Sequence, residues 1–159
     1  MVGLAPGALV TARRIVDEQG RAVWEGRPVG LSEAREVVIC SPRRVVDARA
    51  ERLELARRSG AEVVDLESGP LAATGRLAGV LRAISDTPDH RLGRLAFAAR
   101  PDGNLAWSRL VRAFATEPAL AFRSARAGRK ALTALELAAG RLVRTGAAAP
   151  ATAPFELGP

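Results

Sequence analysis

Hydrophobic positions in the first half of the chain fall into short apolar runs separated by polar, turn-rich stretches. PGALVTARRIV, the turn DEQG and then RAVWEG predict two strands joined as a hairpin, since Gly20 and its polar neighbours suit a tight turn. Arginines at the exposed positions predict one wet face. Pro28 and Gly30 break the regular pattern. EVVIC, residues 36–40, is a β-rich apolar run and predicts a buried strand. Ser41-Pro42 then predicts a helix entry, with serine as cap and proline in the first turn. This helix is expected to run to Ser59, burying Val46, Ala50, Leu53 and Ala56 on one face, with Gly60 as its stop.

AEVVDL predicts the next strand, PLAATGRLAG a short helix, and VLRAIS a further strand. Gly75 and Gly79 each weaken that helix by about 1 kcal/mol if interior. Alternation of strands and helices predicts an α/β fold with a parallel sheet and helical crossovers. Glu67 and Asp86 are then expected at the carboxyl ends of two neighbouring strands, where open α/β sheets build ligand sites.

The pattern changes after Asp86. TPDHRLGRL reads as a loop leading into a helical segment that ends near Arg100, and Pro101-Asp102-Gly103 as a turn. Asn104 is placed to cap a helix through LAWSRLVRAFA, and Pro118 to start a long Ala/Leu/Arg helix to about Arg144. TGAAAPATAPFELGP has no amphipathic period. The expected organisation is one domain over residues 1–145 and a disordered Ala/Pro-rich tail over 146–159.

A chain of 159 residues suits one domain that buries about 68–70% of its unfolded surface, with no need for disulfide staples. The lone cysteine, Cys40, lies inside EVVIC and reads as a buried structural thiol. Met1 is followed by VGLAPGALV, with no basic start and no sustained apolar run, so the expected compartment is the cytoplasm. The net charge is +7, nearly all of it from arginine, with Lys130 the only lysine. That balance permits anionic partners. The arginines are dispersed, however, and aromatics are only 4%, which argues against a base-stacking platform and hence against nucleic acid as partner.

Motif chemistry is sparse. GxGxxG, P-loop, CxxC, HExxH and GxSxG patterns are absent, and no metal-ligand spacing occurs. His90 reads as a polar loop residue, and Trp24 and Trp107 as packing residues. One carboxylate motif after each of two strands remains. Each also has a plain structural reading: Glu67 as a solvated residue at a helix start, Asp86 as a loop cap beside Pro88.

VVDLESGPLAA followed by VLRAISD resembles the purine nucleoside phosphorylase and nucleosidase superfamily. Its members carry an aspartate-methionine-glutamate-serine motif after one strand and arginine-x-isoleucine-serine-aspartate after the next. PGALVTARRIVDEQG, RSGAEVVDLESG and PDGNLAWSRLVRAFATEPAL extend the likeness over Leu4 to Arg144, toward the phosphorylase-like enzymes of hopanoid biosynthesis. The resemblance implies a partial three-layer α/β/α sandwich of the nucleoside phosphorylase type, lacking its first strands and the phosphate-binding segment they carry. It implies cleavage of the N-glycosidic bond of a purine (adenine) nucleoside, with an adenosylated hopanoid lipid precursor as one substrate. No cofactor is implied, only inorganic phosphate as co-substrate if the reaction is phosphorolytic.

Residue by residue, the resemblance puts Glu67 on the ribose hydroxyls and Leu66, in place of the methionine, against the sugar. Asp86 takes the position that hydrogen-bonds or protonates purine N7, easing departure of the base. Ser85 and Arg82 are supporting, and Arg82 and Asp65 are structural in the first instance. An exposed edge left by missing strands predicts a homo-oligomer. A catalytically inactive nucleoside-binding or interaction module is the alternative. A third reading puts the arginine-rich helix RSARAGRKALTALELAAGRLVR on an anionic membrane surface or nucleic acid; a solvated helix face is the simpler account of it.

Overall fold

The protein's structure is a computed structural model that describes residues 3–87 and 106–145. The expected segment ending near Arg100, His90, the Asn104 cap and the tail 146–159 lie outside the described residues.

The hairpin forms as predicted: β1 spans Leu9–Val16 and β2 Ala22–Glu25, paired antiparallel. Asp17 organises the turn. Its Oδ1 accepts from the amides of Gln19 and Arg21, and its Oδ2 from Arg21 Nε at 2.7 Å. β3 (Arg35–Cys40) runs parallel to β1 along its other edge. The register slips by one residue between Ala12 and Arg14. This bulge sets the side-chain alternation of β1. Val10 and Ala12 face one side before it, and Ile15 resumes that side after it, leaving Arg13 exposed.

Helix α1 (Arg49–Ser59) crosses to β4 (Val63–Val64), which pairs parallel with β3. Gly60 takes the left-handed conformation predicted for a stop. The helix starts later than expected. Residues 41–48 stay non-helical because their backbone groups find other partners: the Arg43 amide donates to Glu18, and the Val46 carbonyl accepts from Arg52 Nε. Ser41 is no helix cap; its Oγ accepts from the Gly69 amide at 2.9 Å. The buried face is also different. Arg52, Leu55 and Ser59 are buried, while Ala50 and Leu53 are exposed.

Helix α2 is short, Ser68–Ala72, and residues 76–80 carry no regular structure, in keeping with two glycines in the predicted helix. β5 (Leu81–Ala83) then pairs antiparallel with β1, against the all-parallel expectation. β2 covers only Arg14–Val16 of its edge of β1, so residues 9–11 are open to a second strand. Trp24 Nε1 donates to the Leu77 carbonyl and the Ala12 amide to Val80, which leads the chain along that open edge. The result is an open mixed sheet of five strands. Its order is β2-β1-β3-β4, with β5 beside β1.

Apolar side chains fill both faces, the pattern of a sheet covered on two sides. Val10, Ala12, Ile15, Val37 and Ile39 pack with Ala72 of α2 and with Val80. Val16, Val38 and Cys40 pack with Leu55 of α1 and with Ala61. Cys40 is fully buried, as expected. Burial is the main influence on its thiol and pushes the pKa up, so it is no ready nucleophile. Two helices follow, α3 (Trp107–Thr116) and α4 (Pro118–Thr145), close to the predicted bounds. α4 packs against β5, and Arg141 ties it to Glu33.

Candidate functional site

The two carboxylate motifs end on strands that are not neighbours. β4 lies beyond β3, whereas β5 lies on the far side of β1, so two strands separate them. The expectation of adjacent strand ends is therefore corrected. The cause is the antiparallel return of β5 along the edge that β2 leaves open.

Side chains bridge what the sheet order separates. The Asp65 amide extends the ladder one residue past β4 by donating to the Cys40 carbonyl. Its carboxylate is 10% exposed and accepts three bonds: Ser68 N at 2.8 Å, Ser68 Oγ at 2.5 Å and Arg82 Nε at 3.0 Å. The same guanidinium donates from Nη2 to Glu67 Oε2 at 2.9 Å. Arg82, on β5, thus grips both acids of the first motif. Glu67 occupies the position before α2 but makes no capping hydrogen bond, and its side chain is 63% exposed. This is the solvated position at a helix start that the plain structural reading of Glu67 expects. Leu66 beside it is half-buried.

Asp86 is held from the other side of the molecule. Its Oδ2 lies 2.9 Å from Arg52 Nη1, and its Oδ1 accepts from Ser85 Oγ at 3.2 Å. Arg52 is 6% exposed. It also donates to the carbonyls of Val46 and Thr87 and lies 3.5 Å from Asp47. A guanidinium removed from water needs such partners, and this one has four. Asp86 and Ser85 line a small depression of about 40 Å³ whose other wall is α4, through Leu120, Arg123, Ser124 and Ala127. Glu67 and Leu66 do not line it.

The structure therefore assembles two anchored carboxylates. Asp86 faces a depression with a cation, two hydroxyls and an apolar wall. Glu67 stands in solvent, steadied by Arg82. Arg52 and the α4 residues were missed by the sequence reading. Arg52 sits with Leu55 and Ser59 on a stripe that is two-thirds polar, so hydropathy gave it no weight. Among the described residues no group of three or more His, Cys, Asp or Glu could hold a metal, and no helix is long and apolar enough to cross a membrane.

Comparison with known proteins finds no matching family model, no matching curated protein and no matching solved structure.

Proposed function

We propose that this chain is a nucleoside phosphorylase-like protein of the cytoplasm that binds a purine nucleoside, or a lipid carrying one, and acts at its N-glycosidic bond. The observation that carries the reading is Arg82. It joins Asp65 and Glu67 of the first motif to the strand that leads directly into Ser85 and Asp86 of the second. The fold is then the nucleoside-phosphorylase type of α/β/α sandwich, with α1 and α2 on opposite faces of the sheet.

Glu67 has the exposure to accept hydrogen bonds from the ribose hydroxyls, and its negative charge favours positive charge developing on the sugar. Asp86 holds the base. As the C1′–N9 bond breaks, its electron pair passes to the purine, and a proton that Asp86 takes up from solvent and delivers to N7 lets the base leave neutral. Phosphate or water forms the new bond at C1′. Arg123, opposite Asp86, offers a cation to an anionic group bound in the same depression.

A second reading rests on the ion pairs themselves. Both carboxylates are already occupied, Asp86 by Arg52 and Glu67 by Arg82, which suits a module that binds nucleoside without turning it over.

Calorimetry with adenosine and with adenine, each with and without phosphate, tests binding. Chromatography of the same mixtures tests release of adenine. Binding with adenine release supports the first reading, and binding alone the second. Failure to bind either compound overturns both.

A further inference from the structure

We infer that α4 is the two-fold interface of a homodimer, paired antiparallel with α4 of a second copy about a point between Leu132 and Thr133. One face of the helix is already used: Ala121, Ala131, Ala138 and Leu142 are buried against the rest of the chain. The exposed side of the helix carries four large apolar side chains in water. Phe122 is 67% exposed, Leu132 69%, Leu137 61% and Val143 75%. A helix of 28 residues is about 42 Å long, so this face is long enough for an extended interface. Exposed apolar surface of this kind marks interaction sites.

The spacing chooses the occupant. Phe122, Arg129, Glu136 and Val143 recur every seven residues and form one column, with Leu132 three residues beyond Arg129. The column is apolar at both ends and carries one charge of each sign in the middle. Neither Arg129 nor Glu136 has an ion-pair partner among the described residues. A two-fold between Leu132 and Thr133 makes residues at equal distances from it face each other. Arg129 then meets Glu136 of the partner subunit, twice by symmetry, and Phe122 meets Val143 of the partner subunit. Arg126 faces Ala139 of the partner subunit, so no two arginines of this face stand opposed. An isologous interface requires this self-complementarity. A lipid surface fits less well, because the face would press Glu136 into the acyl boundary from the middle of its apolar column.

Sedimentation equilibrium of the whole chain tests the pairing. Wild type is expected to dimerise. Arg129→Glu or Glu136→Arg alone places like charges together and should raise the dimer dissociation constant at least about tenfold. The double variant Arg129→Glu/Glu136→Arg restores opposite pairing and should recover most of the loss. Thr133→Cys, next to the two-fold, should oxidise to a covalent dimer, while wild type should not, because Cys40 is buried. A monomeric wild type overturns the inference. So does a dimer indifferent to both single reversals, which would place the interface on a sheet edge instead. A double variant weaker than either single one also overturns it. Circular dichroism of each variant excludes unfolding as the cause.

Discussion

Arg52 holds Asp86 from within α1: the guanidinium is almost fully buried, yet the carboxylate it grips at 2.9 Å opens onto the depression beside α4. A group at the surface is thereby positioned by one in the interior. Replacing Arg52 with methionine keeps most of the apolar stem but strips donors from two backbone carbonyls and two carboxylates. The expected cost is about 3 kcal/mol, set by partners left unsatisfied rather than by the net worth of the pair. Arg52→Lys should recover only part of it, since an ammonium cannot reproduce the fork. Urea denaturation of the three proteins measures this. A loss below about 0.5 kcal/mol for Arg52→Met would show that the network contributes nothing to stability.

Two glycines with positive φ separate strain from crowding. Gly60 ends α1 at φ 68°, and a Cβ there would meet open space. Gly60→Ala is expected to cost about 1 kcal/mol from backbone strain alone. Gly20 closes the hairpin turn at φ 80°, and a Cβ there would lie 3.2 Å from the Ser59 carbonyl oxygen and 3.3 Å from that of Arg58. Gly20→Ala therefore adds crowding to strain and should cost more. Equal losses in thermal or urea unfolding would mean that the turn and α1 do not press on each other.

The hairpin turn also carries a pH dependence. Desolvation pushes the Asp17 carboxyl upward, but hydrogen bonds from the Arg21 amide and guanidinium and from the Gln19 amide outweigh it, so its pKa falls below the ordinary value. A carboxyl with a lower pKa folded than unfolded adds stability above its unfolded pKa and loses it as pH falls through its folded one. Asp17→Asn should thus be less stable than wild type at neutral pH, and the difference should shrink below about pH 4. Urea midpoints of both proteins across that range provide the check. A gap that stays constant would assign the effect to the turn's shape, not to the charge.

Much of the architecture was legible in local pattern. β1, β3 and the hairpin turn announce themselves by apolar runs and Gly20, and α4 by Pro118 and its Ala/Leu/Arg repeat. What failed was non-local. The direction of β5 depends on how little of β1 the short β2 covers, and no property of VLRAIS records that. The buried face of α1 was misread because its most buried charge, Arg52, is placed partly by the Thr87 carbonyl and the Asp86 carboxylate, far away in sequence. For the candidate site, the choice of acids came from motif order. Their spatial relation, joined through Arg82 and separated by two strands, could be seen only in the fold.

Arg82 offers the sharpest separation of structure from function. Asp65 keeps two donors from Ser68 when Arg82 is replaced by methionine, and Glu67 is mostly in water. The expected stability loss for Arg82→Met is therefore about 1–2 kcal/mol, chiefly from the less exposed Asp65. Glu67→Gln removes the charge but no buried contact, and should change stability by no more than about 0.5 kcal/mol. If Glu67 meets the ribose, both variants should weaken adenosine binding about tenfold or more, Arg82→Met by releasing the carboxylate and Glu67→Gln by neutralising it. Asp86→Asn should then abolish adenine release by orders of magnitude, after correction for the stability lost at Arg52. Paired calorimetry and urea unfolding decide the matter. Should Glu67→Gln bind adenosine as wild type does while Arg82→Met loses only stability, the grip of Arg82 on Asp65 and Glu67 is a structural clamp, and the nucleoside assignment of Glu67 fails.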